Sequence, residues 1–389
     1  MRPKWRKYAC LLLAALTSLN SSAQNYFNPT GKKYPIVAWH SVDAAHNTRA
    51  HYMKMAKAGF NLSLSDFFSE QETRRALKEV RGTGVKLIVN CQEGRNASPA
   101  FINDIKGNTS VGLYYICDEP IIDYFEVIKA KSDRIMEADG FHYPYVNLLP
   151  SYADKGLLGT ESYANYLYDY IEIVHPSYIS FDHYPFVRDS FRNDIYDNLE
   201  IVSEVCKDKG IPFWGFARTL VDNNYHAVDE GRLRFQVFIN IAYGAQGIQY
   251  FSYAVTKGGK EAIVDSLYKP TEVYETVKKI NKEVHSIENY VLGAELIRVL
   301  HVRSLIDCVK ISHIKSFVSS GNGVLISQFE KDGIKLLMVV NKDFENNQHI
   351  SVTFSQIVSM INKKGRRMRG RRDYEINLKA GDWRLFKLN

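Results

Sequence analysis

The sequence lacks the short motifs that identify several large enzyme classes. No G-x-G-x-x-G or G-x-x-x-x-G-K loop follows an early strand, and neither an H-E-x-x-H pair nor a G-x-S-x-G elbow occurs. These absences argue against nucleotide binding, zinc hydrolysis and a serine nucleophile, because each chemistry depends on that local arrangement. The histidines are scattered without ligand spacing. We therefore expect neither a metal nor another cofactor.

Cysteine is scarce. Of the five, Cys10 precedes the apolar run near the N-terminus instead of following it, unlike a lipid-attached cysteine. The others, Cys91, Cys117, Cys206 and Cys308, have no close or metal-like spacing. Buried free thiols are the favoured interpretation. The alternative is a disulfide between Cys91 and Cys117, because their strands are predicted to be neighbours.

Long hydrophobic runs are also missing. Four positive residues precede the short apolar run Leu11–Leu16, and small and polar residues follow as far as Ala23. This order is typical of a secretory signal peptide, here residues 1–23, and the run is too short to span a bilayer. We expect an exported protein, periplasmic or extracellular, without stable membrane insertion.

An excess of positive charge is confined to two segments. The net charge of +7 falls to +3 without the first 23 residues, and to −4 without the seven Lys and Arg residues of 363–372. A nucleic-acid-binding protein needs a wide positive surface, so we expect no nucleic-acid partner. We interpret 363–372 as an exposed hairpin loop, with a docking patch for an acidic surface as the alternative.

Segments of strand and helix pattern alternate through residues 24–294. Eight strands are predicted, at 34–42, 61–67, 86–91, 111–119, 143–149, 178–184, 212–219 and 248–253, with helical patterns between them. Eight such units predict a (β/α)8 TIM barrel of the α/β class. An open doubly wound sheet is disfavoured because no glycine-rich phosphate loop is present.

From residue 295 to 389 the periodicity changes to short alternating runs separated by turn residues. The runs lie at 297–302, 309–314, 323–329, 334–341, 349–354 and 383–388. They predict a C-terminal antiparallel β-sandwich domain. Because this part holds no cluster of candidate catalytic residues, we interpret it as an ancillary domain.

The active site of such a barrel lies at the carboxyl ends of its strands. Carboxylates, amides and aromatic rings end these strands, a mixture that suits a sugar, because rings stack on its apolar faces and polar groups bind its hydroxyls. We therefore expect a carbohydrate substrate. The candidate residues are Trp39, His40, Asn90, Glu93, Asp118, Glu119, Asn147, Asp182, His183, Tyr184, Trp214, Arg218, Tyr250 and Tyr253.

The end of the fourth strand carries a resemblance to a known group. Glu119 followed by Pro120, with a polar residue before it, resembles the acid/base motif of clan A glycoside hydrolases, which are (β/α)8 barrels often followed by a β-sandwich. Segments 180–185, 212–215 and 243–253 resemble secreted relatives of the family 42 β-galactosidases. The resemblance implies that Glu119 is the general acid/base, with Asp118 where the clan usually has Asn. An adjacent negative charge would raise the pKa of Glu119.

The sequence departs from the clan on the seventh strand. Clan members end this strand with a nucleophilic Glu, and residues 212–220 contain no acid. The best candidate for the second carboxylate is Asp182, as base or nucleophile, followed by Glu230 and then Glu93. Because the fourth and sixth strands are not neighbours, a wide carboxyl separation of roughly 6.5–9.5 Å and inversion are favoured over roughly 5–5.5 Å and retention. The alternative function is a carbohydrate-binding barrel that has lost catalysis.

Overall fold

The computed structural model describes residues 27–188, 190–225, 229–303, 311 and 313–388. The predicted signal peptide, residues 1–23, lies outside the described residues. Within them, no helix is both long and apolar enough to cross a bilayer.

Eight parallel strands form a nearly closed barrel, as predicted. In the sheet β5-β4-β3-β2-β1-β10-β9-β6, the ends approach through the amide of Leu148, which donates to the carbonyl of Ser180 at 2.8 Å. The strands are β1 Ile36–Ala38, β2 Leu62–Leu64, β3 Lys86–Val89, β4 Val111–Asp118, β5 Pro144–Asn147, β6 Ile179–Ser180, β9 Phe213–Arg218 and β10 Gly247–Phe251. A small hairpin, β7 Phe186–Val187 and β8 Ser190–Phe191, follows β6.

Helices surround the barrel because the connections between parallel strands must cross over. Several begin with a side-chain cap, as when the hydroxyl of Ser69 accepts from the amide of Glu72. The helices are α1 Arg49–Lys57, α2 Glu70–Val80, α3 Gln92–Arg95, α4 Pro99–Ile105, α5 Phe125–Ala138, α6 Lys155–Leu158, α7 Tyr163–Val174, α8 Asp194–Lys209, α9 Glu230–Ala242 and α10 Glu272–Val291.

Side chains along each barrel strand alternate between two hydrophobic cores, one inside the barrel and one between the barrel and its helices. Inward-facing side chains such as Trp39, Tyr145, Trp214 and Phe216 fill the barrel interior. Outward-facing ones such as Tyr250 pack beneath the helices. A position shifted by one residue therefore faces the other core.

The C-terminal strands form the predicted antiparallel β-sandwich. One layer contains β11, β13, β14 and β17, the other contains β12 and β16, and the long β15 pairs in both. These strands are β11 Glu295–Val302, β12 Ile314–Ser319, β13 Val324–Lys331, β14 Ile334–Asn341, β15 Gln348–Ile361, β16 Arg371–Leu378 and β17 Trp383–Lys387. Side chains of the first layer, including Leu325 and Met338, join the core under the barrel helices, so the sandwich packs against α9 and α10.

Candidate active site

The end of β4 presents two adjacent carboxylates. Both Asp118 and Glu119 are solvent-exposed, and the backbone of Glu119 adopts the left-handed region with φ 46°. Its amide still donates to the carbonyl of Asn147 at 2.8 Å. A non-glycine residue rarely adopts this conformation, and Glu119 stands directly after the last residue of β4, Asp118.

Asn147 at the end of β5 links the strand-four and strand-six carboxylates. Its Nδ2 donates to Asp118 Oδ1 at 3.0 Å and to Asp182 Oδ1 at 2.8 Å. Because both oxygens accept hydrogen bonds from the same nitrogen, Asp118 Oδ1 and Asp182 Oδ1 lie within about 6 Å of each other. The structure therefore brings Asp118, Asn147 and Asp182 together at the barrel mouth.

A buried polar network fixes the amide of Asn147. Ser180 Oγ donates to Asn147 Oδ1 at 2.8 Å and accepts from Gln249 Nε2 at 2.8 Å. The hydroxyl of Tyr145 donates to Gln249 Oε1, and Trp39 Nε1 donates to that hydroxyl at 3.0 Å. Because every member has a partner, the Nδ2 donor must face the carboxylates. Trp39 is almost completely buried, so it supports this network from within the barrel.

The pKa of Asp182 is raised far above the usual range of an aspartate. Burial raises its pKa to about 8, the charges of Glu119 and Asp118 add to the shift, and hydrogen bonds from Asn147 and Tyr184 oppose it. Only 7% of Asp182 is exposed, so little water is available to solvate a negative charge there.

The two exposed carboxylates are also perturbed. Burial in the mouth raises the pKa of Glu119, and the charge of Asp118 raises it further. Burial likewise raises the pKa of Asp118, while the hydrogen bond from Asn147 lowers it. Both side chains contact solvent, yet the surrounding walls exclude part of the water that would stabilise their charges.

The end of β9 carries a cation where the clan has a carboxylate. The guanidinium of Arg218 pairs with Asp222 at 2.5 Å and stacks on Tyr225, 3.7 Å from the ring centroid. Tyr184 and Phe251 lie within 5.3 Å of the same guanidinium. Arg218 therefore organises a wall of aromatic rings on this side of the mouth.

The ends of β1 and β3 form other parts of the rim of the mouth. Asn90 donates to Asp66 at 2.9 Å and accepts from Arg95 at 2.6 Å, and the guanidinium of Arg95 lies over the ring of Tyr115. His40 meets the ring of Phe251 edge-on. Burial lowers the pKa of His40, opposed by the charge of Asp66, so the imidazole is neutral at pH 7.

Four predicted site residues lie outside the mouth. Trp214 is completely buried and stacks on Tyr178 in the barrel interior. Tyr250 on the outer face of β10 and Tyr253 just after this strand are both buried, and both meet Phe60. Burial therefore contradicts a sugar-binding role for these three.

His183, the fourth, faces a different set of residues. Its Nε2 lies 3.3 Å from Asp194 Oδ1, and its ring meets Tyr152 edge-on. Burial lowers the pKa of this imidazole to about 4. The side chain is thus neutral at pH 7 and contacts α8 instead of the carboxylates.

The two alternative carboxylates lie elsewhere as well. Glu230 in the first turn of α9 pairs with Lys279 at 2.7 Å, as expected for a charge at a helix start. Glu93 in α3 has a buried Oε2 that finds no hydrogen-bond partner among the described residues. It contacts the thiol of Cys91, on the helix side of the barrel.

The sequence interpretation missed several residues of the mouth. They face inward or line the rim: Tyr115, Tyr145, Tyr152, Ser180, Tyr225, Gln249 and Phe251. Gln249 was detectable, because it is a polar residue in an apolar strand with the same parity as Phe251.

No metal cluster of three or more His, Cys, Asp or Glu side chains occurs within the described part of the chain. Cys91, Cys117 and Cys206 are free thiols. Cys308 and His226 lie outside the described residues.

Comparisons with known proteins agree with this architecture. Residues 146–287 match the family model of glycoside hydrolase family 42, described as beta-galactosidase. The match includes Asn147, Asp182 and Arg218 but begins after Asp118 and Glu119. The search of curated proteins gives no match.

Among solved structures, α-L-arabinofuranosidase from Thermotoga maritima is similar over both domains. It superposes with a TM-score of 0.51 at 9% identity, covering 94% of this chain and 98% of that chain. Xylanase 10B from Thermotoga maritima gives a TM-score of 0.43 at 14% identity, covering 67% of this chain and 98% of that one. A β-galactosidase from Halorubrum lacusprofundi gives 0.45 at 12% identity, covering 65% and 58%. The chain thus shares the fold of the arabinofuranosidase, a TIM barrel followed by a β-sandwich, and its residues 146–287 are distantly similar to family 42.

Proposed function

Because the chain has a glycoside hydrolase-like barrel, we propose that it is an exported hydrolase of O-glycosidic bonds in an oligo- or polysaccharide. The observation that carries this proposal is the link through Asn147 between Asp118 and Asp182, with Glu119 adjacent. Acid-catalysed glycosidic cleavage needs one protonated and one ionised carboxyl group on either side of the scissile bond. The different environments of these carboxyls supply both forms near neutral pH.

The electrostatics favour Asp182 as the proton donor. Its pKa of about 8 keeps the proton in place at pH 7, whereas Glu119 contacts solvent, which stabilises the charged form of its carboxyl group. In this assignment Asp182 protonates the leaving oxygen, and Glu119 activates water or attacks the sugar. The resemblance to the clan implies the reverse assignment, with Glu119 as donor and Asp182 as base or nucleophile.

Leaving-group dependence distinguishes the two assignments. An aryl glycoside with an acidic phenol needs little protonation, so loss of the donor should matter little with that substrate. We expect Asp182→Asn to retain most activity on the activated substrate and to lose about 10²–10⁴-fold on an alkyl glycoside. The reverse assignment predicts this pattern for Glu119→Gln instead.

A second candidate function is a carbohydrate-binding barrel without turnover. The observation in its favour is Arg218, whose ion pair and ring contacts occupy the end of the strand that carries the clan nucleophile.

A glycan screen followed by two measurements separates the candidates. In a hydrolase, under either assignment, Glu119→Gln should lower turnover of an unactivated glycan by at least about 10²-fold while leaving affinity within a few fold. Glu126→Gln on the exposed surface of α5 is the matched control and should retain full activity. Binding by the unmodified protein without turnover on any bound glycan would exclude the hydrolase. For an active enzyme, the anomer first released, followed by NMR, tests the inverting mechanism that we favour.

A further inference from the structure

The connection between β15 and β16 forms a concentrated positive surface, here called the basic hairpin. Its positive side chains are all exposed, and Met368 is the only sizeable apolar residue between them. They are Lys364, Arg366, Arg367, Arg369, Arg371 and Arg372.

The charges of the basic hairpin are largely uncompensated. Within the described ranges, Lys364, Arg366, Arg369, Arg371 and Arg372 take part in no ion pair. The nearest acids in sequence have other partners: Asp373 accepts from Thr353, and Glu375 pairs with His349 and Ser351. Lys363 differs from its neighbours, because it pairs with Asp382 and Glu283 beside the barrel.

The backbone holds this surface in a fixed shape. The amide of Met368 donates to the carbonyl of Met360 at 2.8 Å, and the amide of Asn362 donates to the carbonyl of Arg366 at 3.0 Å. Gly365 adopts φ 72°, and a Cβ at this position would lie 2.0 Å from the carbonyl oxygen of Ser286. The turn therefore sits directly on α10, and its backbone is held in one shape before any ligand binds.

We infer that the basic hairpin is a binding site for an acidic polysaccharide, one that carries carboxylate or sulfate groups along its chain. Five of the six positive residues are arginines, whose planar guanidinium matches a carboxylate or sulfate with two parallel hydrogen bonds. The guanidinium groups of Arg366, Arg369, Arg371 and Arg372, which take part in no ion pair among the described residues, suit a ligand with repeated negative groups. Ser286 lies in the second half of α10, toward the amino ends of the barrel strands, so the site is separate from the carboxylates at the opposite end.

Two other polyanions fit less well. Anchoring to an anionic membrane usually requires an apolar element beside the charges, and Met368 with the half-exposed Ile357 provides little. Binding to single-stranded nucleic acid uses aromatic rings as stacking platforms, and the hairpin has none. The choice of a polysaccharide as the ligand rests on the proposed function. The binding assay needs no turnover, so failure of the binding site can be told apart from failure of the proposed hydrolase activity.

The test measures binding of the full-length mature protein to polygalacturonate by calorimetry, with neutral dextran as reference. We expect binding to polygalacturonate that weakens as salt increases, and none to dextran. Arg366→Glu/Arg369→Glu/Arg372→Glu should weaken binding about tenfold or more, because three favourable contacts become repulsive. The matched control reverses three exposed charges on α1, α2 and α5, as Lys57→Glu/Lys78→Glu/Arg134→Glu, and should bind like the unmodified protein.

Several results would overturn the inference. Equal loss in both triple variants would show that net charge alone governs binding. Equal or tighter binding to duplex DNA or to phosphatidylserine vesicles at the same salt would assign the hairpin to another partner. Absence of any polygalacturonate binding at low salt would remove the site. Thermal unfolding verifies that each variant is folded, and the neutral variant Arg366→Gln/Arg369→Gln/Arg372→Gln should still weaken binding.

Discussion

Asp182 is the residue whose charge state most affects the site. It accepts a hydrogen bond from Asn147, which can donate to it whether or not it carries a proton, and it faces the charges of Asp118 and Glu119. Ionisation of Asp182 adds a third negative charge to a small volume with little water. Burial and the two neighbouring carboxylates therefore favour the protonated form of Asp182.

Replacing Asp182 should change how stability depends on pH. The pKa is about 8 in the folded protein and about 4 in an unfolded chain, so the folded state holds an extra proton between these values. Its free energy of unfolding should then fall as pH rises from 4 to 8. Urea unfolding should be measured at pH 5 and at pH 8 for both proteins. Between these pH values, the free energy of unfolding of Asp182→Asn should fall by at least about 1 kcal/mol less than that of the unmodified protein. Parallel losses in the two proteins would contradict the raised pKa.

Asn147 should control the proton affinity of its two carboxyl partners. Asn147→Ala removes a hydrogen bond that lowers the pKa of Asp118 and Asp182, so both groups should titrate at higher pH. The lost contacts should also reduce stability by about 1–3 kcal/mol. Carboxyl 13C NMR titration measures the shift. Ser180→Ala leaves the Nδ2 donor in place and should shift Asp182 less; equal shifts would argue against the direct bond.

At the scale of residues, the sequence predicted where the barrel strands end better than it predicted which side of a strand each side chain faces. Asp118, Asn147 and Asp182 were identified because parallel strands all end at one rim. The prediction selects Tyr250 on β10 and Tyr253 just after it, whereas Gln249 and Phe251 face inward. Aromatic residues suit both cores of a barrel, so residue type alone could not decide the parity. The predicted sugar-binding role of Trp214 was wrong for a related reason. The depth of a residue along its strand decides whether an inward-facing ring reaches solvent.

At the scale of elements, the end of β9 and the loop after it are held by one cation. Arg218 donates through Nε to the carbonyl of Leu220, pairs with Asp222 and stacks on Tyr225. These contacts span only a few residues, so they set the path of the loop as it leaves the strand.

A double-mutant cycle should detect this coupling. Arg218→Leu leaves Asp222 partly buried without its cation, and Asp222→Asn leaves Arg218 without its anion. We expect the two substitutions together to cost about 1–2 kcal/mol less than the sum of the single effects in urea unfolding. Arg188→Leu, a more exposed arginine whose guanidinium contacts Asn224, should show no comparable coupling with Asp222→Asn. Additive effects would mean that the contact does not order the loop.

The sequence predicted the barrel strands better than those of the sandwich. All eight barrel segments contain observed strands, because crossover helices and glycine stop signals separate them clearly. In the sandwich, β16 was missed, although Tyr374, Ile376 and Leu378 alternate with polar residues. The basic residues just before them predict an exposed loop, and this pattern hides the start of β16 at Arg371.

At the scale of the whole molecule, a buried ion cluster joins the barrel to the sandwich. Arg234 of α9 contacts Glu283 of α10 at 2.5 Å and Asp382 beside β17 at 2.6 Å, and all three are almost completely buried. Lys363 and the indole of Trp383 complete the cluster. Sequence patterns could not reveal it, because its members come from distant positions and meet only when the domains pack.

Replacing Arg234 should reduce stability much more than replacing an arginine of an exposed ion pair. Arg234→Met leaves two buried carboxylates without their main cation, so unfolding at pH 7 should require about 3–5 kcal/mol less. Arg232→Met on the same helix loses more exposed pairs with Asp229 and Glu345 and should cost about 1 kcal/mol or less.

The pH dependence gives the sharper test of the same cluster. Burial would raise the pKa of Asp382, but Arg234, Lys363 and Arg384 together hold it at about 2. The stability from this ionised group is therefore fully present above pH 4 and is lost as pH falls toward 2. In Arg234→Met the carboxylates can take up protons, so the deficit relative to the unmodified protein should shrink between pH 6 and pH 3. A deficit that stays constant over this range would mean that packing, and not the ionised carboxylate, makes Arg234 necessary for joining the domains.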